Sequence, residues 1–197
     1  MAEDLTAAYA GEIDGQGELP LRVRNRLLGQ IITRLPGEQE RAAFIGHLGL
    51  TCAERSWGIW LSAFEAETEP MDLAREAVLS ATGGPSPREG MDRLGILKAS
   101  LDGKFALGEN YFAAIYAGFS CWAVARDALA RCTSVESADS ELSIAPEEWD
   151  ACFLASLAVA GGAIWEDVGD NDSRRAFWLW YLGAAIPHAL HEATSAR

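Results

Sequence analysis

A chain of 197 residues can bury a sizeable core and makes one domain, or at most two small ones. Hydrophobic residues make up 49% and charged ones 23%, as in a soluble globular protein, but 16 basic side chains face 29 acidic ones and the formal net charge is -13. A charge of that sign excludes nucleic-acid binding through a general basic face and suits a basic partner, or simply solubility.

In chain order, the predicted elements are all helices, in one helical domain over 1–197 with 1–18 as a loosely attached N-terminal segment. A short helix is expected at 2–10, then a link through Gly11, Gly15 and Gly17 to Pro20. Val23, Leu27, Leu28, Ile31, Ile32 and Leu35 form an apolar stripe, with Arg22, Arg24, Arg26 and Arg34 largely outside it, and Pro36-Gly37 breaks it. Residues 38–66 carry Phe44, Ile45, Leu48, Trp57, Trp60, Leu61 and Phe64. There Gly46, Gly49 and Gly58 predict two helices or one bent one. Helices follow at 73–81, closed by Gly83-Gly84-Pro85, and at 91–101, ended by Asp102-Gly103. Residues 110–131 come next, with an Ala- and Gly-rich middle that would allow close helix approach.

After a polar loop at 133–145, Pro146 is placed to open a helix with Glu147 and Glu148 in its first turn. From Ala151 to Ala160 that helix is apolar nearly all round, hence central. The last stretch, 170–188, reads DNDSRRAFWLWYLGAAIPH. Phe177, Trp178, Tyr181, Leu182, Ala185 and Ile186 share one stripe, Trp180 points away from it, and Pro187 should end or kink the helix. Asp170, Asp172 and Ser173 precede its first turn, where their oxygens suit free amides. No alternating strand pattern occurs, so the fold class is all-α, a compact multi-helix bundle. Residues 151–160 and 177–186 are expected to pack against 111–129.

Motifs for chemistry are missing. There is no GxSxG elbow, no GxxxxGK[ST] loop and no GxGxxG turn after a strand. His188 and His191 stand three apart beside Glu192, which is not the HExxH arrangement, and they read as a solvated helix end; His47 reads as an interior or groove histidine. Cys52, Cys121, Cys132 and Cys152 form no CxxC pair and read as buried, reduced thiols. No catalytic residue, no metal and no cofactor is expected. The acidic start lacks the basic and apolar regions of a signal peptide, and the uncharged runs 111–125 and 151–165 fall short of a membrane span, so the expected location is cytoplasmic.

The most informative feature is where the acid sits. From Thr133 to Ser173 there is no Lys, Arg or His, yet ten of the chain's carboxylates lie there. A soluble loop with helix N-terminal acids would explain this, and so would a surface that attracts something basic. The exposed contributors would be Glu136, Asp139 and Glu141 in the loop and Glu166, Asp167 and Asp170 in the later turn, whereas Glu147, Glu148 and Asp172 would serve their own helix N-termini.

The run RRAFWLWYLGAAIP resembles the C-terminal signature of a family of bacterial immunity proteins from polymorphic-toxin systems, immunity protein family five. The matching residues are Arg175, Phe177, Trp178, Trp180, Tyr181, Leu182, Ala185, Ile186 and Pro187. The resemblance implies an α-helical, cytoplasmic, non-enzymatic protein that binds and neutralises a cognate bacterial toxin domain. A basic, nucleic-acid-cutting toxin is one candidate; neither nucleic acid nor membrane is an expected partner. Most of the signature is expected to be core rather than contact surface. The alternative is a small helical enzyme or ligand-binding protein with an interior pocket lined by Trp57, Trp60, Trp122 or Tyr116.

Overall fold

The computed structural model describes residues 8–133, 138–166 and 168–195. The expectations for Glu136, for Asp167 and for the start of the chain therefore lie outside the described residues. Within them stand eight α-helices and no strand: α1 (Leu21–Ile32), α2 (Glu38–Ala63), α3 (Glu69–Ala81), α4 (Gly90–Lys104), α5 (Phe112–Leu129), α6 (Ala151–Ala160), α7 (Asn171–Trp180) and α8 (Ile186–Ser195). They form one all-α bundle. None of the described helices is long and apolar enough to cross a membrane.

α5 is the hub. It packs on α2, α3, α4 and α6, and α2 in turn takes α6 and α8. Small residues make these approaches possible. A Cβ on Gly118 would come within 2.5 Å of the Trp60 ring and 2.6 Å of Leu101, so a larger residue would push α5 off α2 and α4. At Gly49 a Cβ would lie 3.3 Å from that of Ala151, where α2 meets α6. Hence α2 is one unbroken helix of 26 residues, not two. A helical glycine costs about 1 kcal/mol against alanine, and burial of Phe44, Leu48 and Trp60 outweighs that local preference.

Three other boundaries differ from expectation. α4 runs on through Asp102-Gly103 to Lys104. Pro146 opens only a 3-10 turn, Pro146–Glu148, and α6 starts separately behind Asp150, whose carboxylate accepts the Phe153 amide at 2.7 Å. Pro187 does not end the last helix. A π turn, Tyr181–Ala185, precedes it, and the Ile186 amide reaches back to the Tyr181 carbonyl, five residues away. Widening the helix there makes room for a ring that would otherwise meet the carbonyl four residues before it, so the helix continues into α8. α7 packs chiefly on α6, and the π turn and α8 on α2. The expected packing of this aromatic stretch on α5 is therefore replaced by packing on α5's neighbours, while α6 does lie on α5 as expected.

Residues 9–18 lie against the helices. Tyr9 and Ile13 are buried, and the Gln16 carbonyl accepts from Arg174 at 3.2 Å while that of Asp14 accepts from Arg175. Gly17, at φ 78°, sits so close to α7 that a Cβ would come within 2.3 Å of the Asn171 carbonyl oxygen.

Candidate functional site

The acidic stretch divides into an inner and an outer set of carboxylates. The inner set is organised by Arg24 of α1, expected outside the apolar stripe but only 1% exposed. Its guanidinium donates to the Leu19 carbonyl at 2.7 Å, to Glu141 at 2.5 Å and to Asp150 at 2.9 Å, and it lies 4.9 Å from the centre of the Trp178 ring. Burial opposes the Arg24 charge, but Asp150, Glu141 and Glu18 more than offset it, so the group stays protonated. Glu141 is thus a buried partner of Arg24, not an exposed contributor. Arg24 lies three residues from both Leu21 and Leu27, on the buried side of α1, and that spacing was the signal that could have placed it inside.

Glu18 joins the same interior. Its two carboxylate oxygens lie 3.7 Å from Arg24 and from the buried Arg174, beyond hydrogen-bond reach. Burial pushes its carboxyl up to about 8, against the pull of Arg24 and Arg174. Arg174 itself spends its two terminal nitrogens on the carbonyls of Gln16 and Gly162 and on Asn171, and its Nε faces Glu18 without a hydrogen bond.

Away from that interior stands an aromatic ridge. α6 ends at Gly161, φ 86°, and the Gly162 amide returns to the Leu157 carbonyl at 2.9 Å, which turns the chain out of the core. A 3-10 turn, Ile164–Glu166, then holds Trp165 outward, 46% exposed. Glu166 pins this turn, accepting the Ala163 amide at 2.7 Å and the Tyr116 hydroxyl from α5. The Trp165 ring packs on Trp149, centroids 5.5 Å apart, and on Phe153 at 6.3 Å. Trp149 is fixed in turn, since its indole N–H donates to the Glu141 carbonyl at 3.1 Å and its own carbonyl accepts from Arg126. Beyond it Leu142 stands 76% exposed on a turn capped by Ser140, and Val168 is exposed as well.

Of the residues expected to meet a partner, Asp139 is exposed, Glu166 is half-buried against Tyr116, and Asp170 is exposed but caps α7. The Ser173 hydroxyl and the amides of Asp172 and Ser173 hold the Asp170 carboxyl below the usual range. Glu148 bonds the Ala145 amide at 3.1 Å, as expected of a residue serving its own turn, whereas it is Asp170, not Asp172, that accepts the α7 amides. Trp149, Trp165 and Leu142 were missed by sequence reasoning. Their mark was isolation, large apolar residues in turns rather than on a helical stripe.

The signature residues are mostly interior. Phe177, Trp178, Tyr181 and Leu182 are buried, Trp180 is half-buried under the Arg55 guanidinium, and Arg175 ties α7 to Asp14. Of the four residues named for an interior pocket, Trp57, Trp60, Trp122 and Tyr116, Trp60 and Trp122 fill the core and donate to the Glu67 and Leu94 carbonyls, and Tyr116 lines a cavity. His47 and His188 do approach each other, with Glu192 beside them; burial lowers the His47 pKa, while His188 and His191 are exposed on α8. Among the described residues no group of three His, Cys, Asp or Glu could hold a metal ion.

These features define an all-α protein with a buried cluster of charges linking its helices and an aromatic ridge at Trp149 and Trp165 that faces outward. The particular family follows from the sequence as a whole. The model of the family described as Immunity protein Imm5 matches residues 10–188, and the chain belongs to that family. Its role is thus one of immunity to a toxin. No curated protein is detectably similar to it.

Proposed function

We propose that the protein neutralises a cognate toxin domain in the cytoplasm of its host, by seating the acidic surface around Trp165 over the toxin's active site. It acts by binding and carries out no reaction of its own. Trp165 is the observation that carries this reading: an exposed indole, fixed from behind by Trp149, in a stretch of sequence rich in carboxylates and without a single base. Aromatic anchors held rigid before contact dominate interface energies, and rim charges speed encounter. A toxin that acts on nucleic acid needs a basic cleft for its substrate's phosphates, and this surface would compete for the same cations. Asp139, Glu166 and Asp170 keep a place on it; Glu141 does not.

Co-expression with the toxin domain encoded beside this gene tests the reading through survival of the host. The parent protein should protect, and Trp165→Ala with Leu142→Ser should not, at unchanged circular dichroism. Met91→Ser with Ile96→Ser on α4, also exposed apolar residues, is the control and should still protect. Equal protection by the two double variants would place the contact elsewhere.

A further inference from the structure

Beside the ridge lies a slot of about 90 Å³ between the C-terminal end of α4, α5 and the 146–154 stretch. Its walls are the rings of Phe105, Tyr116, Phe119 and Trp149, and its rim carries two carboxylates, Asp102 and Glu147. Phe105 and Phe119 stack with centroids 5.9 Å apart, which fixes one wall, and the Tyr116 hydroxyl is committed to Glu166. The rim already holds one cation. Lys98 places its ammonium 2.8 Å from Asp102 and 3.4 Å from Glu147 while remaining 29% exposed. One positive charge against two negative ones leaves the rim anionic, and Glu147 is kept ionised by its own backbone amide and by Lys98.

We infer that this slot receives an arginine side chain from the surface of the toxin. Resting on the reading above, it gives that interface a second, cation-specific anchor beside Trp165. A purely apolar occupant would leave the rim carboxylates without a new partner, and a carboxylate would be repelled. A guanidinium satisfies both parts of the slot, because its planar face lies against aromatic rings while its edge donors reach carboxylate oxygens. Lys98 would then share Asp102 with the incoming cation rather than leave, its butyl stem lining the mouth.

N-acetyl-arginine amide is the probe, with the indole N–H resonance of Trp149 as the reporter in the intact protein. A saturable shift is expected at millimolar probe. N-acetyl-citrulline amide, of the same shape but uncharged, should bind at least about 5-fold more weakly, a factor within the range of cation–π and rim contributions. Phe119→Leu and Glu147→Gln should each weaken the arginine probe similarly, and the exposed Glu147 keeps the test valid if Phe119→Leu disturbs folding. The same two variants should weaken the toxin complex at least about 5-fold. Equal binding of the citrulline probe, no saturable shift, or a toxin complex indifferent to both substitutions would each overturn the inference. In that last case Trp165→Ala would still abolish protection if the reading of the ridge is right, so the two can fail separately.

Discussion

Carboxylates from one base-free stretch meet two opposite fates. Glu141 and Asp150 turn inward onto Arg24, Glu141 buried and Asp150 half-buried, whereas Asp139, Glu147, Asp170 and Asp172 stay at the surface. Sequence gives both groups the same character. What separates them is a single arginine supplied from α1, more than a hundred residues away along the chain. A run of like charge is thus no measure of the field a surface presents, because the fold can import a cation to cancel part of it. The inner group costs desolvation and repays it only when every partner is present. Apart from Asp170, which caps α7, the outer group is cheap to alter for the fold, and so is free to serve a partner.

The largest expected effect comes from emptying the inner group. Arg24→Met leaves the buried Glu141 and the half-buried Asp150 without their cation, and should destabilise the protein by about 3–5 kcal/mol in urea unfolding. Trp178→Ala should cost a comparable amount, about 3–5 kcal/mol, by opening a cavity next to the same guanidinium. A near-neutral result for either would mean that the two groups of carboxylates do not differ as their burial says.

Next in size is a pH effect carried by Glu18. Its carboxyl is raised from 4.5 to about 8 in the folded state, mainly by burial. The native protein therefore holds a proton that the unfolded chain releases, and this group's contribution is fully present below pH 4.5 and lost as pH rises through about 8. Glu18→Gln should abolish that loss. The variant should match its parent in acid and exceed it in melting temperature at pH 8 and above. A parent and variant whose curves run parallel across that window would show that Arg24 and Arg174 hold the carboxylate ionised.

Trp165 offers the sharpest contrast with Trp178. Both are tryptophans, yet one is half exposed and the other buried. Trp165→Ala should change stability by less than about 1 kcal/mol. It should weaken the toxin complex by about 2 kcal/mol or more, a factor of roughly 30, if it is the anchor. Calorimetry of both quantities on one sample of the variant separates the roles.

How much of this was legible beforehand follows the same division. Periodicity read the helices and the all-α class, and the 177–186 stripe marked its own core. It failed where a distant partner decides the outcome. Gly46 and Gly49 look like breakers until α3, α5 and α6 are seen against them, and Pro187 looks like a stop until a π turn accommodates it. Arg24 was misplaced because a charged residue on an apolar stripe reads as an exception, although the base-free stretch needed a cation from elsewhere. The candidate site was legible as charge but not as shape. Nothing local distinguishes Glu141 from Asp139, and Trp165 draws attention only once Trp149 is found behind it.

The smallest effect on the fold, and the finest test of the outer group, is reversal of Asp139 and Asp172 to lysine. Both are exposed, and neither is the N-cap of α7, which is Asp170. Stability should move by no more than about 0.5 kcal/mol for each, the usual scale for surface substitutions, with Asp172 at the upper end because its charge suits the start of α7. If the outer carboxylates steer a basic toxin, association should slow and its dependence on salt should flatten, while dissociation changes little. Stopped-flow measurement at two ionic strengths reads both rates. Reversal of Glu65 and Glu67, exposed acids on the loop between α2 and α3, is the matched control and should leave the salt dependence as it was, apart from the loss of the Glu67–Lys104 pair. Equal slowing by the two pairs would reduce the outer group to its share of the net charge, and would leave Trp165 and the aromatic slot to account for recognition by contact alone.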